Sequence, residues 1–264
     1  MANKGGRKPD VASIAGVLLA FGGVIGGLLL EGGRISDIAQ YTAAIIVLGG
    51  TLGATMLNAP MPTFIGAIRR LANVFFERTQ SPNLVVEQIV EFATKARKAG
   101  IVSLEAEAGA VNDPFLHKAL TLAIDGTDLQ DLRRMMELEI QQQEHHADLE
   151  AKVFEQAGGY APTVGIIGAV MGLIQVMKNL ANIEQVGHGI AVAFVATVYG
   201  VGLANLFFLP AAGKIKARAA AEIQMKELML EGVSAIVEGL NPKLIRIKLE
   251  AYTNIHSGGN KEEK

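Results

Sequence analysis

Residues 160–177 read YAPTVGIIGAVMGLIQVM, and residues 188–213 read HGIAVAFVATVYGVGLANLFFLPAAG. Neither stretch holds an Asp, Glu, Lys or Arg. Each is long enough to cross a bilayer core as a helix, which takes roughly 20 apolar residues. The short polar connection between them makes the pair a membrane hairpin. Pro162 and Pro210 lie near one end of each segment. Because the hairpin reverses direction, both prolines fall on the same side of the membrane. Small and hydroxyl residues recur along the two segments: Thr163, Gly165, Gly168, Ala169, Gly172, Thr197, Gly200 and Gly202. Small residues let backbones approach closely in lipid, so these faces should pack against other helices.

The rest of the chain extends this pattern in both directions. An uncharged run, VASIAGVLLAFGGVIGGLLL, covers 11–30, and a second, 38–68, is most span-like over 39–59. The first run is longer than a signal-peptide core and lacks a small-x-small cleavage site before Glu31, so it reads as a span. EGGRISD, between the two, is too short to be a domain. Pro60 and Pro62 close the second span. The block that follows has the periodicity of a soluble helical domain, with Leu84, Val85, Ile89, Phe92, Ala93 and Ala96 at helical spacing. Asn112-Asp113-Pro114 reads as a turn with Pro114 opening a helix, and Gly126-Thr127-Asp128 ends that helix and caps a long one. The long helix leads into Gly158-Gly159 and the third span. After the fourth span, a helix beginning near Lys214 runs to about Glu238, and a shorter one precedes the polar tail SGGNKEEK.

The expected fold is therefore all-α: a polytopic membrane protein with four transmembrane helices and a helical cytoplasmic domain. The expected boundaries are an N-terminal segment at 1–10, spans at 11–30, 39–59, 157–178 and 188–211, a helical domain at 60–156, and C-terminal helices and tail at 212–264.

Orientation follows from the basic residues flanking the spans. Lys4, Arg7, Lys8, Arg69, Arg70, Arg78, Lys214, Lys216 and Arg218 cluster on one side; only Arg34 and Lys178 lie on the other. Both ends of the chain and the middle domain are thus expected in the cytoplasm of a bacterial cell, with two short loops outside the inner membrane. Tyr41 and Tyr160 are the best candidates for an interfacial aromatic anchor, since Trp is absent. A formal net charge of -2 without a broad basic stripe argues against nucleic acid as a partner. The absence of cysteine excludes disulfides and thiolate metal sites.

Soluble-site chemistry is thin. No phosphate loop or dinucleotide fingerprint occurs. His145 and His146 point to different azimuths of one helix, while His117, His188 and His256 have no partners at metal-ligand spacing. We expect no enzyme, no cofactor and no metal. The spans themselves carry no Asp, Glu, Lys or Arg, save Lys178 at the outer end of the third. If the protein works with an ion gradient, the titratable carboxylate must come from a partner helix. Thr51, Thr55, Thr163, Thr197, Tyr199 and Asn205 either line a polar path or hydrogen-bond their own helix backbones. One charged stretch stands out in the soluble block, ATKARKAGIVSLEAEAG at 93–109. Across the Gly100 break, Arg97 and Lys98 form a basic patch, and Glu105 and Glu107 an acidic one, at neighbouring helix ends. The alternative for these charges is an ordinary solvated surface.

The segments ARKAGIVSLE, YAPTVGIIGAVMGLIQVM and VAFVATVYGVGLANLFFLPAAGKIK closely resemble the flagellar motor stator subunits of the MotA/TolQ/ExbB group. The resemblance spans nearly the whole chain. It implies an ion-driven torque generator: a homopentamer around two copies of MotB, whose single membrane helix bears an essential aspartate, with ion passage turning the ring. By the same resemblance, Arg97 and Glu105 match the charged residues that engage the rotor protein FliG, with Lys98 beside them. Pro162 and Pro210 match the prolines that shape the cytoplasmic end of the channel. Thr197 supplies a hydroxyl in the fourth span, and Ala169 stands where sodium-type relatives carry a threonine, so the resemblance implies proton coupling. A TolQ- or ExbB-like energy transducer is the alternative nearest in kind, but those relatives have a three-span plan. A small-molecule transporter or a structural membrane protein is a more distant one.

Overall fold

The structure is a computed structural model that describes residues 8–77 and 81–254. Lys4, Arg7, Arg78, His256 and the polar tail lie outside those residues. In chain order, β1 (Lys8–Pro9) precedes α1 (Val11–Leu30), α2 (Ile35–Ile38) and α3 (Tyr41–Ala44). A π-helical segment (Ile45–Gly49) runs directly into α4 (Gly50–Asn58), and α5 (Met61–Val74) and β2 (Phe76–Glu77) follow. Next come α6 (Pro82–Ala99), a 3-10 turn (Ile101–Leu104), α7 (Glu105–Ala110), α8 (Pro114–Ile124) and α9 (Leu129–Lys178). The chain continues through α10 (Ile183–Leu203), a second π segment (Ala204–Phe208), α11 (Leu209–Val237) and α12 (Pro242–Asn254). The architecture is helical as expected, with one unforeseen detail: β1 and β2 form a two-residue antiparallel pair, Lys8 opposite Glu77 and Pro9 opposite Phe76.

Local chemistry accounts for most boundaries. Asp10 caps α1 by accepting from the Ser13 amide at 3.1 Å. The residue before Pro60, Ala59, is extended (φ -114, ψ 138), as steric conflict with the proline ring requires, so α4 ends at Asn58. Gly100 takes φ +85 and ends α6, while Gly126 takes φ +78 and ends α8. Asp113 accepts from the amides of Phe115 and Leu116 at 2.9 and 3.0 Å, with Pro114 opening α8. Asp128 accepts from Gln130 N at 3.0 Å at the start of α9.

Helix continuity differs from the sequence expectation in two places. Gly158-Gly159 does not separate the long helix from the third span: α9 is unbroken from Leu129 to Lys178, with Pro162 in its interior. Gly158 is there for packing, since a Cβ on it would sit 2.6 Å from Leu209 Cδ2. The helix expected to begin near Lys214 is likewise continuous with the fourth span, the helical run extending from Ile183 to Val237. Among the described residues, 4 helices are long and apolar enough to cross a membrane: Val11–Leu30, Tyr41–Asn58, and those containing the third and fourth spans.

The chain divides into two compact units. The first, from 81–145 and 219–254, has an apolar core around Ile89, Phe115, Leu120, Met136, Val233 and Ile245. The second, from 8–77 and 146–218, holds the spans. Its buried residues are small, with Ala67, Ala151, Ala157, Ala161, Ala204 and Ala212 packed around Phe154, Phe208 and Ile215. The hairpin is zipped by glycine contacts. A Cβ on Gly165 would lie 2.8 Å from Ala196 O, on Gly172 2.7 Å from Gly189 O, and on Gly200 2.5 Å from Ala161 O. Backbone-to-backbone approach of this kind is how apolar helices gain dispersion energy in lipid, where burial of apolar surface supplies no drive.

Candidate functional site

The residues singled out in the spans all belong to the second unit. Pro162 and Ala169 lie on α9 and Thr197 on α10, all partly buried, whereas Pro210, one residue into α11, is exposed. Proline has no amide to donate, so the carbonyl one turn earlier loses its helical partner, which makes each position a place where the helix bends readily. At Pro210 the π segment Ala204–Phe208 falls on the preceding turn. The fourth-span helix is thus irregular on both sides of Leu209. π-helical turns are found mostly as single insertions, frequently at working sites.

The hydroxyls and amide in the spans turn mostly to their own helices. Thr55 donates to Thr51 O at 2.7 Å, Thr163 to Tyr160 O at 2.8 Å, Thr197 to Ala193 O at 3.2 Å and Asn205 to Val201 O at 2.9 Å. Each Thr oxygen keeps lone pairs free to accept from water or a partner group. Tyr199 does something else. Its hydroxyl donates to the Ile38 carbonyl and accepts from the Gln40 amide at 3.3 Å, supplying partners to the turn between α2 and α3 that leads into the second span.

A second long-range contact lies at the base of the spans. Asp10, only 9% exposed, receives Lys214 Nζ at 2.6 Å and Arg218 Nη2 at 2.6 Å. Arg218 also donates through Nη1 to Phe76 O at 2.5 Å, and the Asp10 amide donates to Phe75 O at 2.9 Å. The hydrogen bond from Lys214, joined by those from Ser13 and Arg218, holds the Asp10 carboxyl far below the usual carboxylate range despite its burial. Nearby, Lys216 binds Glu155 at 2.9 Å and Asp148 at 3.5 Å, and Arg70 pairs with Glu150. Gly66 makes room for that last pair, because a Cβ on it would collide with the Glu150 carboxylate.

The charged patch lies in the first unit. Arg97 and Lys98 occupy the last turn of α6, and Glu105 is the first residue of α7; all three are exposed. The placement suits the helix dipoles, with cations at a C-terminus and a carboxylate at an N-terminus. Among the described residues none of the three makes an ion pair. Glu107, by contrast, pairs with Lys95, whose hydrogen bond lowers its pKa. The structure therefore separates the acidic pair that the sequence presented together: Glu105 is free and Glu107 is engaged. Beside Arg97 opens a cleft of about 450 Å³ lined by Ala93, Ala96, Ile101, Asp128 and Ile236.

Sequence reasoning passed over Asp10 and did not assign Tyr199 its role, because each contact joins residues distant in the chain. The one local signal was an acidic residue directly before an apolar run, the mark of an N-cap. Among the described residues no group of three or more His, Cys, Asp or Glu is gathered as a metal site.

The chain matches the family model described as the MotA/TolQ/ExbB proton channel family over residues 107–228, and that described as Motility protein A N-terminal over residues 14–100. It is 35% identical over 247 residues to Motility protein A of Bacillus subtilis (strain 168), an alignment covering 92% of this chain and 90% of the relative. Among solved structures it is similar to C. jejuni MotAB, with a TM-score of 0.87, 30% identity, and coverage of 92% of this chain and 95% of that one. It is similar also to the flagellar MotAB stator complex from Bacillus subtilis, with a TM-score of 0.85, 34% identity, and coverage of 94% and 100%. With the hairpin, the spans that precede it and the helical unit all matched along nearly their full length, the chain belongs to the MotA/TolQ/ExbB proton channel family.

Proposed function

We propose that this chain is a flagellar motor stator subunit that, with a MotB-like partner, conducts protons and converts the proton-motive force into torque on the rotor. The observation that carries this reading is its full-length likeness to MotAB stator complexes, combined with spans that contain no Asp or Glu of their own. A proton path needs a titratable group within the membrane. The partner's single span supplies it as an aspartate, and this chain supplies the wall around it, with Ala169 and Thr197 facing the path and Pro162 and Pro210 shaping its cytoplasmic end. Five copies surround two of the partner in the inner membrane, with both ends of this chain and the 60–156 helical domain in the cytoplasm. Arg97, Lys98 and Glu105 grip and release charged residues of FliG. Exposed, unpaired charges suit such a role, because they engage and disengage without a dry interface.

The test is co-expression with the one-span subunit in a host lacking its own stators. Restored swimming together with a stable purified complex of the two chains is the expected result. Assembly into a complex without the aspartate-bearing partner, and no motility, would return the chain to an energy-transducer or transporter reading.

A further inference from the structure

We infer that Asp10 is a positioning residue for torque generation: it clamps the start of the first span and the end of α5 to the base of the fourth-span helix, giving the bend at Pro210 a fixed footing. This rests on the stator reading above and names a residue that reading does not contain.

The argument begins with how many chain segments one carboxylate joins. Asp10 caps α1 through Ser13, its backbone pairs with Phe75, and its side chain takes both Lys214 and Arg218 of α11. Arg218 closes the loop by donating to Phe76 O. Beside this knot, Pro9 and Phe76 face each other in the β1–β2 pair. A cap alone needs neither cation, and a solvated juxtamembrane lysine needs no buried partner. Here the carboxylate is nine-tenths buried and doubly paired. Charge-assisted hydrogen bonds of this kind are shorter and roughly twice as strong as neutral ones. Removing the carboxylate takes from Lys214 and Arg218, whose side chains are 35% and 22% exposed, the group that ties both to the start of α1.

The position along α11 gives the knot its meaning. Lys214 and Arg218 are spaced i, i+4 and so share one helix face, the first of them about one turn beyond Pro210. The helix above Pro210 contains the π segment and can bend. The helix below it is held to α1 and α5. Motion originating in the spans is then expressed as a bend at Pro210, not as sliding of the whole fourth-span helix.

The experiment uses the complete stator in a host lacking its own, with single-motor speed recorded as units join one at a time. Asp10→Asn is expected to reduce the speed step per unit roughly two-fold or more, since it removes the charge that draws Lys214 and Arg218 to the start of α1, while Asp10→Glu retains most of the step. A wild-type step for Asp10→Asn overturns the inference, as does a variant that joins motors less often but with an undiminished step, because that is stability alone. The chain has no cysteine, so Pro9→Cys with Phe76→Cys adds a single designed cross-link. A clamp that stays closed during work predicts that the oxidised pair turns with the wild-type step; arrest on oxidation, reversed by reductant, shows that the clamp must open and overturns the footing. This pair decides the matter even if Asp10→Asn fails to assemble. Failure of the unaltered chain to power any motor would instead count against the stator reading.

Discussion

The hydroxyl of Tyr199 donates to the carbonyl of Ile38, a residue 161 positions away in sequence, in the non-helical turn just ahead of the second span. The same oxygen accepts from the Gln40 amide. The turn that leads into a membrane helix has backbone groups outside any helical ladder, and at the edge of the lipid these need partners from protein or water. Tyr199 supplies them from the neighbouring span. Tyr199→Phe is therefore expected to lower stability by about 0.5–1.5 kcal/mol, the net worth of a hydrogen bond, since the Gln40 amide also donates to Ile38 O at 3.1 Å. Thermal unfolding of the purified complex would show a lower midpoint; an unchanged midpoint would mean that water or lipid headgroups replace the phenol.

Close approach in the hairpin makes a paired prediction from two glycines of one helix. Gly200 faces the backbone of Ala161, whereas nothing lies within 4 Å of a Cβ on Gly202. Gly200→Val should prevent the spans from closing and abolish assembly, while Gly202→Val should assemble at near-normal levels. Membrane-fraction yield of the complex distinguishes them, and equal yields would dissolve the packing argument.

Within the helical unit, Glu231 carries a pH dependence whose sign is fixed. Burial pushes its carboxyl upward, but hydrogen bonds from Lys248 and Arg133 outweigh this and the net shift is downward. A carboxylate depressed in the folded state contributes stability above its unfolded pKa, and that contribution is lost as pH falls through the folded value. Arg133 approaches it at 3.1 Å and reaches Glu238 at 3.6 Å as well, so the cluster is shared. Glu231→Gln should lower the unfolding midpoint at neutral pH, and the gap from the unaltered chain should narrow once the pH falls below about 4. A gap independent of pH would show that shape rather than charge matters there.

The spans, the helical character and several caps were legible because their causes are local. Asp113 next to Pro114, and Gly126 ahead of Asp128, act within one turn, so reading a few residues suffices. The unbroken course of α9 through Gly158-Gly159 was not legible. Two glycines look like a break until Leu209, far along the chain, is seen against one of them. The candidate site divides the same way. Arg97, Lys98 and Glu105 stand at helix ends announced by Gly100, but whether an acidic neighbour is free or paired depends on Lys95, and only the structure releases Glu105 and engages Glu107. Asp10 and Arg218 are 208 positions apart, and no periodicity joins them.

For the rotor contact, the free charges of Arg97 and Glu105 set the expected magnitude. Exposed pairs are worth about 0–1 kcal/mol each, so neutral single substitutions should be mild. Reversal converts attraction into repulsion and should be worse. Arg97→Glu combined with Glu105→Lys is expected to abolish or strongly impair swimming while the complex still assembles, with partial restoration when a partner charge on FliG is reversed. Swimming at the unaltered rate by the double variant would assign both residues to the solvated surface.

The coupling ion turns on how many oxygens the spans can present. A sodium ion needs several ligands to replace its water, whereas a proton needs a titratable group and a hydroxyl or water relay. Thr197 already donates to Ala193 O, leaving its lone pairs to accept, and Ala169 offers no hydroxyl at all. Thr163 is exposed and bonded to Tyr160 O. With so few side-chain oxygens at the positions proposed to line the path, protons are the expected ion. Rotation should persist in sodium-depleted medium and stop on addition of a protonophore. Speed that rises with sodium at constant proton-motive force would overturn this, and would mean that backbone carbonyls or the Thr163 oxygen complete a sodium shell. Ala169→Thr sharpens the test. In a proton-coupled motor the added hydroxyl should leave speed independent of sodium, whereas a path one ligand short of binding sodium would acquire a sodium dependence.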